Sequence, residues 1–243
     1  GAYSLTGLSG NDTLKGNGNA DIINGGGGDD NIDGRGGNDE INAGAGDDII
    51  TVSSAGQGDG DTIDGGSGTD TLSLSSGSHA FATDAKLQNI NSITLASTST
   101  VIDLTGQTES LTITGGAQAD TITAGSGDDI INGAGGADII KGAGGIDTIS
   151  LGSSDSASDI IIFDASSGMD IIQQFTAGAT NGDILKYIGN LTDSESSANT
   201  STGSDNTDNL LSADFVANAK NSSLDITHLV CLLYTSPSPR DRG

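Results

Sequence analysis

The sequence is short of the residues from which ordinary protein cores are built. It has no Trp, three Tyr and four Phe, and only 33% of its 243 residues are hydrophobic, so a conventional packed core is not expected. Its one cysteine, Cys231, leaves no disulfide framework, and its two prolines, Pro237 and Pro239, lie close to that cysteine. Cations are equally scarce. Eight Lys and Arg stand against 33 Asp and Glu, a formal net charge of −25, which argues against nucleic acid or an anionic membrane as a direct partner. No apolar run approaches the roughly 20 residues needed to span a bilayer, so no transmembrane segment is expected. The opening Gly1-Ala2-Tyr3-Ser4 carries neither a start Met nor a signal-peptide pattern, and the chain reads as an internal piece of a longer protein.

The last thirteen residues differ in composition from the rest. Cysteine, both prolines, Arg240 and Arg242 all follow Val230. The string Cys231 to Asp241 reads as the translation of a sequencing adaptor, so residues 231–243 are set aside as read-through. Without them the chain holds 6 basic and 32 acidic residues, and neither cysteine nor proline.

What the chain has in quantity is glycine, 39 residues, and it recurs at a fixed period. Five uninterrupted nonamers run from Gly7 to Thr51: GLSGNDTLK, GNGNADIIN, GGGGDDNID, GRGGNDEIN and AGAGDDIIT. Two more, GQGDGDTID and GGSGTDTLS, follow a four-residue insertion at Val52 to Ala55. A second array, GGAQADTIT, AGSGDDIIN, GAGGADIIK and GAGGIDTIS, spans Gly115 to Ser150. A nonamer divides into a six-residue turn and a three-residue strand. So tight a turn needs positive φ, which accounts for glycine at the first, second and fourth places.

Alternation within each strand turns the eighth position inward: Leu14, Ile23, Ile32, Ile41 and Ile50, then Ile122, Ile131, Ile140 and Ile149. One aliphatic residue in nine is too thin a core to offset roughly 1–2 kcal/mol of conformational entropy per ordered residue. The sixth position is Asp in every copy: Asp12, Asp21, Asp30, Asp39, Asp48, Asp61 and Asp70, then Asp120, Asp129, Asp138 and Asp147. Stacked rungs would bring these carboxylates close, with repulsion of about 1–4 kcal/mol per pair. A divalent cation reverses that sign. Calcium suits the oxygen donors of Asp and of Gly-rich turns, whereas zinc or copper would want the His or Cys that the repeats lack.

These nonamers resemble the Gly-Gly-x-Gly-x-Asp-x-hydrophobic-x repeat of the RTX family of calcium-binding, type I secreted bacterial proteins. The resemblance implies an all-β parallel β-roll with nine-residue half-turns and several Ca2+ ions lying between turns. It pairs Asp residues 18 apart: Asp12 with Asp30, Asp21 with Asp39, Asp30 with Asp48, Asp120 with Asp138, and Asp129 with Asp147. Carbonyls of turn glycines such as Gly26, Gly28, Gly44, Gly46, Gly125 and Gly127 would complete the shells. Asn19, Gln118 and Asp59 replace the fourth glycine in three copies, and the sites built on those turns, with Asp61 and Asp70 beyond the insertion, are less regular.

Residues 7–73 are thus expected to form one calcium-binding roll and 115–150 a second. Between them, 74–92 break the register as a loop or short helix. Over 93–114 the aliphatic spacing Leu95, Leu104, Ile113 suggests metal-free rungs, with Ile93, Ile102 and Leu111 in the aspartate places. Residues 151–190 read as decaying rungs, in which Asp159 and Asp170 keep the spacing, closed by a cap. Residues 191–230 read as a polar linker and a truncated module.

No catalytic or organic-cofactor motif is present. His79 and His228 are the only histidines, neither in a His-Glu-x-x-His sequence, and surface positions are expected for both. No Gly-x-Ser-x-Gly elbow occurs. The sequence reads as a non-enzymatic calcium-binding part of an extracellular or surface structural protein, an S-layer protein or adhesin, with cell-surface polysaccharide or like subunits as partners. The alternative is the calcium-dependent folding and export module of a secreted enzyme or toxin.

Overall fold

The computed structural model describes residues 1–53, 60–81, 83–152, 157–164, 167–168, 170–175, 182–187 and 229–230. The expected linker and adaptor segments, 191–230 and 231–243, lie outside the described residues apart from 229–230.

Short strands separated by glycine turns stack, coil on coil, into parallel sheets. The longest sheet, here the spine, takes Thr13–Lys15, Asn31–Asp33, Ile49–Val52, Thr71–Leu74, Ser92–Leu95, Thr112–Thr114, Ile130–Asn132, Thr148–Ser150 and Ile171–Gln173 in that order. All these pairings are parallel; only Leu229–Val230 joins the last of them antiparallel. The opposite side is made of two sheets. The first facing wall is Ser4–Thr6, Ile22–Gly27, Glu40–Ala45, Thr62–Ser67 and Leu87–Gln88; the second is Gly77–Ala80, Thr100–Asp103, Thr121–Thr123, Ile139–Lys141, Ile160–Phe163 and Ile184–Tyr187. The fold is the parallel β-solenoid that the nonamers imply.

One aliphatic residue per strand meets its equivalent in the next coil. In the spine the row is Leu14, Ile32, Ile50, Leu72, Ile93, Ile113, Ile131, Ile149 and Ile172. In the walls it is Leu5, Ile23, Ile41, Ile63 and Leu87, then His79, Ile102, Ile122, Ile140, Ile161 and Leu185. These residues form a single buried core cluster, with the partly buried Leu5, Leu14 and Leu185 packed against it, and His79 in the same row is fully buried. The expectation of a surface position for His79 is therefore wrong. Its Nε2 pairs with the Ser75 carbonyl at 2.9 Å, and the imidazole fills a place that isoleucine holds in the following coils.

The middle segment also differs from expectation. Ile93 pairs with Leu72 and Ile113, and Ile102 with His79 and Ile122, so both lie in the core row and not in the aspartate places. The places two residues earlier are Asn91 and Thr100, while Leu111 does stand there, two before Ile113. Alternation explains the misreading. Inward positions recur every second residue, so Leu95 and Leu104, two beyond the core row, are buried as well and produce a nine-residue spacing to Ile113 across a longer turn. Residues 74–92 lengthen their coil to 21 residues, from Leu72 to Ile93, and hold a short 3-10 helix, Asp84–Lys86, together with one strand of each wall that was not expected. It is here that the facing wall passes from one sheet to the other.

Candidate metal centre

Every coil presents two turns, one entering the spine and one leaving it, so the sixth-position aspartates form two columns. On the edge entering the spine the column is Asp12, Asp30, Asp48, Asp70, and later Asp129, Asp147, Asp170. On the other it is Asp21, Asp39, Asp61, and later Asp120, Asp138, Asp159, Asp183. Each carboxylate accepts through Oδ1 the backbone N–H of the corresponding residue one coil earlier: Asp12 to Asp30 at 2.8 Å, Asp21 to Asp39 at 2.8 Å, Asp30 to Asp48 at 2.7 Å, Asp120 to Asp138 at 2.8 Å and Asp129 to Asp147 at 2.9 Å. All five 18-residue pairs are brought together.

The insertion does not break the columns. Asp39 reaches Asp61 at 2.8 Å and Asp48 reaches Asp70 at 2.9 Å across 22 residues. Three aspartates outside the regular nonamers also join: Asp138 donates to Asp159 at 2.8 Å, Asp147 to Asp170 at 3.1 Å and Asp159 to Asp183 at 3.0 Å. The Asp-x-aliphatic triplet marks all three in the sequence, as the spacing kept by Asp159 and Asp170 indicates, although the glycines are missing.

These carboxylates are buried. From Asp21 to Asp170 the ladder aspartates other than Asp183 and Asp12 are at most 3% exposed. Asp61 and Asp129 are raised to about 6 and Asp147 to about 7, in each case chiefly by desolvation and against the pull of a backbone N–H. Asp39, Asp48, Asp70, Asp120 and Asp170 are shifted upward for the same leading reason. A carboxyl whose folded pKa exceeds its unfolded value favours the fold at low pH and ceases to as pH rises through the folded value. In chelator the roll should thus form near pH 5 and be lost by pH 8. Far-UV circular dichroism across that range checks this, and a metal-free signal that grows with pH would contradict it.

The second carboxylate oxygen separates the turns into two kinds. Beside Asp12, Asp21 and Asp120, the N–H of the second turn residue, Leu8, Asn17 or Gly116, donates to Oδ2 at 3.1, 2.6 and 2.7 Å. Beside Asp30, Asp48, Asp70, Asp129 and Asp147, Oδ2 is buried with no hydrogen-bond partner. In four of those five turns, all but that of Asp129, the second residue is left-handed: Gly26 at φ 108°, Gly44 at 115°, Gly66 at 92° and Ala143 at 71°. Reversing φ at that place turns the preceding peptide over and takes its N–H away from the carboxylate. The fourth glycines Gly28 and Gly46 are left-handed too, at φ 106° and 135°. Gly125 and Gly127 lie outside that region. There a side chain is excluded by space, since a Cβ would strike the carbonyl oxygens of Gln107 and Glu109 in the neighbouring coil.

First-position glycines are likewise set by space and not, as expected, by positive φ, although Ala43 and Ala124 hold that place in two copies. A Cβ on Gly16 would lie 2.6 Å from Asp21 Oδ2 and 2.5 Å from the Gly34 carbonyl oxygen. At Gly7 the same space is bounded by Asp12 Oδ2 and the Gly25 carbonyl, and at Gly25 by Asp30 Oδ2 and the Ala43 carbonyl. A carboxylate oxygen and a carbonyl oxygen from the next coil therefore converge in a cradle that any side chain would fill. The first-position carbonyls were not among the donors expected from the sequence, which named those of the second and fourth.

The cradle fits a hard cation. It offers oxygen alone, and an anionic buried oxygen without a partner is costly unless something positive meets it. Among the described residues no three acidic or histidine side chains gather at one point, so any ion here would draw on carboxylates and backbone oxygens together. No helix among them is long and apolar enough to cross a membrane.

Comparison with known families finds the RTX calcium-binding nonapeptide repeat in four copies, over residues 4–32, 25–54, 55–78 and 112–155. Comparison with curated proteins finds no match. The matched stretches are the two arrays whose turns carry the aspartate columns. Those two arrays are therefore calcium-binding nonapeptide repeats of the RTX kind.

Proposed function

We propose that the ladder aspartates hold calcium ions between successive coils, and that the chain is a calcium-stabilised structural roll of an extracellular or cell-surface protein. The observation that carries the first part is the set of buried, unpartnered Oδ2 atoms on Asp30, Asp48, Asp70 and Asp147, each in a turn whose second peptide has turned its N–H away. Asp12, Asp21, Asp39, Asp61, Asp120, Asp129 and Asp138 complete the columns, with backbone oxygens of the glycine turns as the remaining ligands.

The structural role is supported by continuity. The spine and the core cluster run without a break from the first array through the middle coils to the second, so the roll is one rod and not two separable clips. Outside a cell, calcium at millimolar levels suits extracellular sites with Kd of about 10⁻⁴–10⁻³ M; inside, scarcity would leave the chain unfolded until export.

Flow dialysis with radioactive calcium tests the assignment. Several ions should bind per chain at millimolar concentration and persist in an equal concentration of magnesium, whose stricter octahedron suits these turns poorly. Fewer than one ion per chain at saturation would end the proposal.

A further inference from the structure

Both aspartate columns of the first array stop at the coil where the facing wall changes, and they stop differently. On the edge entering the spine, the place after Asp70 belongs to Asn91, whose Oδ1 accepts the Asp70 N–H at 2.6 Å. The ladder geometry is kept and the charge is removed. On the other edge, Leu87 stacks on Ile63, so Ala85 stands where the next aspartate would follow Asp61. A cation stands beside it. Lys86 Nζ donates to the Gly60 carbonyl at 3.1 Å and to Thr62 Oγ1 at 3.3 Å, thereby grasping the residues on either side of Asp61.

The placement is built, not incidental. The 3-10 helix Asp84–Lys86 is closed by the Lys86 N–H on the Thr83 carbonyl at 2.9 Å, which fixes the stem, and the side chain is half-buried against the previous coil. Asp61 is one of the most strongly desolvated carboxyls of the ladder, and the Lys86 charge acts on it in the opposite sense to burial. Sequence gives little warning: Lys86 is one of only eight cations and lies in the stretch without nonamers.

We infer that Lys86 is a tethered cation which closes the calcium column at Asp61, supplying from the chain the positive charge that an ion supplies elsewhere. The inference rests on the calcium reading of the columns. It makes the end of the first array, and the coil beyond it, independent of metal at that edge, and it sets where the ion column ends.

The test is a calcium titration of the full chain, followed by far-UV circular dichroism, for Lys86→Gln, Lys86→Arg and the control Lys15→Gln. Gln keeps a donor for the Gly60 carbonyl while removing the charge. Lys86→Gln should raise the calcium midpoint about three- to tenfold, with Lys86→Arg and Lys15→Gln at the wild-type value. In an Asp61→Asn background the Lys86→Gln shift should vanish, which separates charge pairing from simple loss of packing. A Lys86→Gln midpoint equal to wild type, or a shift that survives in Asp61→Asn, overturns the role of Lys86 and leaves the calcium reading intact. A wild-type chain indifferent to calcium overturns that reading first.

Discussion

In chelator at neutral pH, the chain is expected to lose its β signal, and millimolar calcium to restore it. Two terms decide this. The core supplies one or two inward apolar residues per strand, Ile23, Ile32, Ile41 and their equivalents, and each buried side chain contributes about 1.5–3 kcal/mol against an ordering cost of roughly 1–2 kcal/mol for every residue of a nine-residue repeat. The columns add buried like charges, which desolvation alone already disfavours. Neither term favours the metal-free roll at pH 7, so the ions must. Far-UV circular dichroism with calcium added and then chelated gives the answer; a spectrum already β-rich in chelator and unmoved by calcium would refute the account. Magnesium at the same concentration should leave most of the signal unrestored.

The second large effect concerns a single carboxylate. Asp30→Ala should raise the calcium midpoint about tenfold or more over Asp12→Ala. Asp30 is 2% exposed, accepts the Asp12 N–H at 2.8 Å, donates its own N–H to Asp48 at 2.7 Å and carries an unpartnered Oδ2. It belongs to the coil interfaces on both sides. Asp12 is half-buried, stands at the start of its column, and has its Oδ2 met by the Leu8 N–H at 3.1 Å. Removing Asp30 also strands the Asp12 N–H, at a cost of about 1–3 kcal/mol for a buried unmet donor. Parallel calcium titrations of the two variants decide the matter, and coincident midpoints would show that the columns do not share carboxylates between coils.

Much of this was legible in the sequence because the repeat couples two periods. Nine residues per half-turn fix which side chains stack, and Asp followed two residues later by an aliphatic fixes which column each acid joins. The coil pairing of Asp12, Asp30 and Asp48 comes from the family resemblance, which puts two nonamers in a turn, and the same triplet extends the columns to Asp159, Asp170 and Asp183. Where glycine disappears, the period-two alternation of a strand offers two equally good inward rows, which is why Leu95 and Leu104 concealed the true row of Ile93 and Ile102. The exchange of walls at Gly77–Ala80 was hidden because a coil lengthened to 21 residues, from Leu72 to Ile93, can turn in more ways than one. The burial of His79 was hidden because a lone histidine does not show which face of the sheet it occupies. The sense of the second peptide was illegible for another reason: Arg35, Ala134 and Ala143 adopt the left-handed conformation at φ 67°, 69° and 71°, although glycine is the residue that favours it.

The uninterrupted spine has a mechanical consequence. Hydrogen bonds between successive coils of a solenoid run along its axis, so a pull on the two ends loads them one coil at a time, and each coil yields according to its contacts with its neighbours alone. Loss of calcium would weaken the terminal coils in the same stepwise way. Peeling from either end then meets the coil around Asn91 and Lys86, where the acid columns are interrupted and the aliphatic contacts of Leu87, Ile90, Ile93 and Leu95 remain. A rod made this way would shorten from its ends, coil by coil, and rewind from whatever coils remain.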